Sequence, residues 1–336
     1  MFMLASLSVF LCTMLVPQSK SPRFRAVVLE DLGYGGEALA INASGVSVGS
    51  VKLPTGWRAA ARWNAEGALT VLGRGDSAEG CVGSGATGIS SDALVAGYTL
   101  SIQGAPSAAE WLPSSSAGHV LPPPGAITAA GVSPSGHVLV QLNWGKADYA
   151  LLRGGQLRRI DFTAYGRALS VNSEVRVSGW ESSGHAFRWT DGVFEDLPPP
   201  LGSTLAVGWW ITEDGTVIGE SGDGEFRRVT FWKLDNAAHV LQPAVVGAKF
   251  SQGFCGNASG WIVGAETATT ELDPHVARTY GALWVSGTGH VLNALIEAGP
   301  PVLCSEAKAV NDRGQIVGKG RFDGVPTELP LRLDPL

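Results

Sequence analysis

The chain is 336 residues long, with 45 glycines, 11 tryptophans and only 16% charged residues. Soluble domains usually hold roughly 7% Gly and ~25% charged residues, so this is the composition of a turn-rich β protein. Its 45% hydrophobic content excludes a disordered chain, and glycines without a three-residue period exclude collagen. A net charge of −6, with no Lys/Arg run longer than two, argues against nucleic acid as a partner.

Met1 to Val16 is uncharged and mostly apolar. It is shorter than the ~20 residues of a spanning helix and resembles the apolar core of a signal peptide. Residues 1–22 are therefore expected to be an export signal or an N-terminal apolar segment, ahead of one domain at 26–336. Export would place the protein outside the cell, on its surface or in the periplasm. The basic residues Lys20, Arg23 and Arg25 follow the apolar run instead of preceding it. An uncleaved anchor, a buried segment or a misplaced start codon therefore stay open as alternatives.

The rest is seven copies of one unit. Asn42, Asn257 and Asn311 each have Gly three residues later and Gly seven residues later, and Ser90, Ser133, Asn172 and Thr212 anchor four weaker copies. The seventh-on residues are Gly49, Gly97, Val140, Gly179, Gly219, Gly264 and Gly318. Four residues before each anchor stands Ala or Gly: Ala38, Ala86, Ala129, Ala168, Gly208, Gly253 and Ala307. A third-strand Trp follows at Trp63, Trp111, Trp189, Trp232 and Trp284, replaced by Leu152 and Arg332 in copies three and seven. A short apolar segment ending in Leu or Ile then closes each of the first six copies.

Asn-x-x-Gly is a turn in which the side chain caps the backbone and Gly supplies a positive φ. Each unit thus reads as four strands, and Gly at the end of the second marks a bulge or a close backbone approach. The anchors lie 39 to 54 residues apart, the size of a propeller blade. The seventh copy stops after its third strand, while Val28-Leu29-Glu30-Asp31-Leu32-Gly33 reads like the closing segment Val193–Leu197. The expected fold is an all-β, seven-bladed β-propeller of four-stranded repeats, its last blade closed by the N-terminal strand, which leaves no open edge. An open β-solenoid is the alternative.

Unit 4 contains His185-Ala186-Phe187-Arg188-Trp189 and then Gly192-Val193-Phe194-Glu195-Asp196-Leu197. This resembles the HAF repeat of bacterial extracellular repeat proteins across residues 28–334, with copies one, four and seven matching best. The resemblance implies a secreted or surface-displayed bacterial protein with no assigned activity, and it supplies no catalytic residues.

Little in the sequence carries chemistry. Gly45-Val46-Ser47-Val48-Gly49 has the form of a nucleophile elbow, but Ser47 falls in a strand where the other copies hold Val or Ile. His119, His239 and His290 share one slot of three different units and cannot meet one ion, so no metal and no cofactor is expected. The acidic loops Ser221–Glu225 and Glu271–Asp273 lack calcium-ligand spacing. Arg74-Gly75-Asp76 and the sequons at Asn42 and Asn257 are accidents of turns. Cys255 and Cys304, in neighbouring copies, are either a disulfide or two buried thiols.

Binding residues are sought on the first strands. Trp209-Trp210 lies where other copies hold mostly small residues, as a plug or as a stacking platform. The slot before the small residue varies most, and its polar members Glu37, Arg167, Gln252 and Glu306 form a candidate binding face. The inserted segment Glu266–Arg278 is a second candidate surface, read as a loop. The expected role is a non-enzymatic binding or structural module, monomeric, for a glycan, peptide or cell-surface component, with no stable transmembrane helix. The alternative is a polysaccharide lyase or hydrolase whose paired carboxylates, such as Glu37 and Glu306, sit at the channel mouth. One of that pair should then have a raised pKa.

Overall fold

The computed structural model describes residues 21–73, 81–122, 125–143, 148–161, 166–270 and 273–336, and of 161, 270 and 273–276 the backbone alone. The apolar segment 1–16, Arg74-Gly75-Asp76, Trp144 and the tip of the Glu271–Asp273 loop lie outside the described residues. No helix among the described residues is long and apolar enough to cross a membrane.

The described chain is all-β. Four consecutive strands pair antiparallel in each of the runs 36–71, 81–120, 128–161, 166–197, 205–240 and 250–291. One parallel residue pair, Arg227 with Phe250, joins the last two runs into a larger sheet. Unit 4 shows the plan, with strands Gly166–Val171, Arg176–Glu181, Ala186–Thr190 and Val193–Leu197. The first strands of successive units lie against one another, and that of unit 7 lies against that of unit 1.

The anchor residue does two jobs. Asn42 Oδ1 accepts the N–H groups of Ser44 and Val46, which shapes the turn, and Gly45 supplies φ +87°. Its amide nitrogen then donates 3.2 Å to the carbonyl of Ser90, the anchor of the next unit. Asn172 reaches Thr212 O and Asn257 reaches Asn311 O in the same way. Asn311 in turn donates 3.0 Å to Asn42 O, across 269 residues of chain.

Every first strand carries a bulge just after its small residue, from Ala38/Ala40 in unit 1 to Ala307/Ala309 in unit 7. The bulge presses the preceding carbonyl onto the second strand. A Cβ on Gly49, Gly97, Gly179, Gly219, Gly264 or Gly318 would stand 1.7–2.1 Å from that carbonyl oxygen. In these six units the repeat glycine is therefore a steric requirement of the bulge, not a flexible joint.

The third-strand tryptophans are buried, and all but Trp189 bond backward. Trp111 Nε1 donates to Gly73 O, Trp232 to Pro198 O and Trp284 to Gln242 O, each acceptor following the closing leucine of the preceding unit. Trp63 donates 2.7 Å to Glu30 O, so the residue after Leu29 takes the same place. Arginines one position earlier bond forward: Arg62 to Pro113 O, Arg188 to Lys233 O and Arg332 to Ala65 O.

Unit 7 contributes three strands, Val302–Val310, Ile316–Phe322 and Glu328–Pro335, and Phe24–Val28 pairs antiparallel with the last of them. This corrects the expected alignment of the N-terminal strand by three residues. Leu29, fully buried, takes the closing-leucine place, and its N–H donates to Pro330 O as Leu72 and Leu241 donate in their own units. Leu32 is exposed, because Asp31 Oδ2 accepts the N–H groups of Gly33 and Gly35 and turns the chain away. In the third strand, Leu333 and not Arg332 pairs with the second-strand residue that faces Trp elsewhere. A further strand, Ile296–Ala298, runs parallel along the outer edge of Phe24–Val28. One buried cluster contains Phe24, Ala26 and Leu29 together with Trp63 of unit 1 and Leu331 and Leu333 of unit 7.

Of the two alternatives for the cysteines, Cys255 and Cys304 are separate buried thiols, the pKa of each pushed up to about 12 by burial. One further expectation is corrected. The described parts of segment 266–278 are not a loop. They extend a hairpin formed by Ile262–Thr270 and Asp273–Val285, whose threonines suit a strand.

Candidate functional site

The bulges place one extra residue of each first strand at an equivalent position: Leu39, Thr87, Ala130, Leu169, Trp209, Phe254 and Lys308. All seven are half-buried. The backbone geometry repeats while the side chains change, and the change is asymmetric. Units 5 to 7 supply a chain of contacts: Trp209 meets Phe254 edge to face at 6.4 Å, and Lys308 Nζ lies 4.1 Å above the Phe254 ring. Units 1 to 4 supply only aliphatic groups and a threonine.

The predicted residues divide. Trp209 belongs to this chain of contacts. Trp210 does not, since it packs between the core clusters around Leu333 and Ile262. Glu37 is half-buried and ion-paired to Arg58 at 2.7 Å. Glu306 is ion-paired to Lys308 and, at 3.2 Å, to Lys319. Burial pushes the Glu306 carboxyl up, but Lys308 and Lys319 outweigh this and hold it below the usual carboxylate range. That is the reverse of what a general acid needs. Arg167 is exposed and pairs in register with Trp180. Gln252 is half-buried opposite Ala265.

One residue near Gln252 went unnoticed in the sequence. Glu220, fully buried, lies on the second strand of unit 5 and bonds Arg227 through Oε1 at 2.8 Å. Burial holds its carboxyl above the ordinary value, against the opposing effects of Gln252, Arg227 and Trp209. Its Oε2, Arg227 Nε and Trp209 Nε1 are buried without completed hydrogen bonds. Only the backbone register, Val207 opposite Glu220, could have pointed to it from the sequence. Because the folded value is raised, Glu220's stabilising contribution is fully present below about pH 4.3, its unfolded value, and is lost as pH rises through the folded value. The stability gap between wild type and Glu220→Gln, read from urea midpoints, is therefore expected to narrow in favour of the variant between pH 4 and pH 7.5.

The remaining motif residues have ordinary roles. Ser47 is buried in the second strand of unit 1. Asp223 Oδ1 accepts the N–H groups of Glu225 and Phe226 and closes its own turn. His119, His239 and His290 sit in three different fourth strands. His185, by contrast, stands beside Glu181 and Asp196, a grouping that linear spacing conceals because two hairpins bring it together.

No protein family matches the chain, and no curated protein matches its sequence. Among solved structures, the chain is similar to virginiamycin B lyase from Staphylococcus aureus, with 12% identity, a TM-score of 0.51, and 94% of this chain and 100% of that chain covered. It is also similar to YCF48 bound to D1 peptide, with 11% identity, a TM-score of 0.54 and 95% and 96% covered. Likenesses at this identity speak to fold alone, and they agree with the strand pairing: the chain is an all-β protein of four-stranded antiparallel sheets whose structural neighbours are β-propellers.

Proposed function

We propose that the chain is an exported protein of the HAF-repeat type, folded as a seven-bladed propeller closed by Phe24–Val28, and that it acts as a non-enzymatic binding module. Supporting closure, Asn311 and Arg332 make toward unit 1 the same bonds that their equivalents make between consecutive units. The observation that carries the binding role is the ring of bulge residues. A rigid, repeated backbone displays a different side chain from each unit at one half-buried position, which is how a fixed scaffold acquires specificity.

The ligand of this reading is a peptide or glycan segment that packs an apolar face against Trp209 and extends toward Leu169 and Leu39. YCF48, which shares the fold, is bound to a peptide, and a peptide is the ligand we favour. Hydrolysis or lyase chemistry through Glu37 and Glu306 is the weaker reading, since each already has its own cation.

Peptide and glycan arrays probed with the full chain and with Trp209→Ala test the proposal. Trp210 is left in place because it packs into the core. Specific binding that weakens at least tenfold in Trp209→Ala, with an unchanged thermal midpoint, is the expected result. Binding that survives the change, or no binding by either protein, would make Trp209 a plug and remove the site.

A further inference from the structure

Unit 4 gathers three metal-ligating side chains from three strands. Glu181 ends the second strand, His185 precedes the third and Asp196 lies in the fourth. One donor atom of each lies within 4.8 Å of the others. His185 Nδ1 stands 2.8 and 3.0 Å from the two oxygens of Asp196. Donors bound at about 2.0–2.2 Å to one ion stand roughly 3 Å apart, so this pair already has the spacing of two ligands of a single centre.

The backbone holds the three in place. Glu181 N–H donates to His185 O at 2.9 Å and Gly184 N–H to Glu181 O at 3.0 Å, closing the hairpin, and Phe187 pairs with Asp196 in register. The same three slots hold Val51, Ala59 and Val71 in unit 1 and Ser221, Arg228 and Val240 in unit 5. Unit 6 has Glu266 at the first of these slots and unit 3 has Asp148 at the second, but unit 4 alone fills all three with ligating groups. Among the described residues no lysine or arginine forms an ion pair with Glu181 or Asp196, and the partner of Asp196 is His185. Two carboxylates and one imidazole carry a charge of −2 when the imidazole is neutral. The site is open to solvent, with the His185 side chain 31% and that of Asp196 51% exposed.

We propose that Glu181, His185 and Asp196 bind a divalent transition ion of the zinc class. An imidazole with two carboxylates suits zinc better than calcium or magnesium, which prefer all-oxygen shells. The ion takes the Nδ1 lone pair, so the imidazole proton moves to Nε2 and the direct His185–Asp196 hydrogen bond is replaced by two metal bonds. The remaining coordination positions face solvent and are filled by water or by a donor from a partner. The site does not depend on the binding role proposed above.

The test is calorimetric titration of zinc chloride into the metal-free full chain, beside His185→Ala and Asp196→Asn, with cobalt(II) absorption as a second readout. One equivalent of zinc is expected to bind, with at least a tenfold loss of affinity in either variant and no competition from excess magnesium. Bound cobalt should give the visible bands of a low-coordinate N/O site. Metal-free urea midpoints close to wild type would show that the variants fold, and Asp196→Asn, the smaller change, decides the matter if His185→Ala does not. No saturation near one equivalent would overturn the assignment, as would equal affinity in a folded variant, which would place the ion elsewhere.

Discussion

Deletion of residues 21–29 is expected to destabilise the whole chain and not merely to remove one edge strand. Phe24 and Leu29 are fully buried, and burying each is worth about 2 kcal/mol. Trp63 would also lose the positioned carbonyl of Glu30, leaving a buried N–H that costs roughly 1–3 kcal/mol. Glu328–Pro335 would lose its pairing from Pro335 to Leu331 and become an exposed edge. The total is on the order of 5 kcal/mol or more, comparable to the whole stability of an ordinary domain, ~5–15 kcal/mol.

The closed ring and the open solenoid differ in where the damage spreads. In a ring, Asn311 and Arg332 tie unit 7 to unit 1, so loss of Phe24–Val28 loosens units at both ends of the chain. Hydrogen exchange should then show lost protection in 36–71 as well as in 302–335. A synthetic peptide of residues 21–30 should restore both together. Loss confined to 302–335, with full protection in 36–71, would favour the solenoid.

Much of this architecture was legible because it is local and repeated. The Asn-x-x-Gly turn and the second-strand glycine each follow from one unit's own geometry, and seven copies average out the noise. What was not legible is what joins units. The Asn amide that caps its own turn also reaches the next anchor, and nothing in a single unit announces that second bond. The N-terminal strand was misaligned because Val28 to Leu32 imitates Val193 to Leu197 in composition. Burial separates Leu29 from Leu32, and burial is a property of the assembled sheet. The 266–278 segment resembles a loop because it is an insertion relative to the other units, while its threonines are what a strand favours. In the candidate site, Trp209 was visible as a bulky residue in a small slot, whereas Glu220 and the Glu181–His185–Asp196 group depend on register across strands.

Gly264→Ala is expected to cost roughly 3 kcal/mol, near the upper end for overpacking by one methyl group. The new Cβ would stand 1.8 Å from Gln252 O and 2.9 Å from its carbonyl carbon. Both are backbone atoms of a strand paired on its other residues from Phe250 to Gly256, so no side-chain rotation relieves the clash. Relief requires flattening the bulge between Gly253 and Cys255, which would withdraw Phe254 from Trp209 and Lys308. Gly224→Ala is the control, since a Cβ there meets nothing within 4 Å and its φ is not positive; its urea midpoint should stay close to wild type. Unit 3 carries Val140 at the equivalent slot, fully buried among Ala96, Ala129 and Ala150. Its bulge, between Ala129 and Gly131, therefore accommodates a side chain that the other six exclude. If Gly264→Ala were as stable as Gly224→Ala, the bulge would be compliant, and the repeat glycine would need a different explanation from steric exclusion.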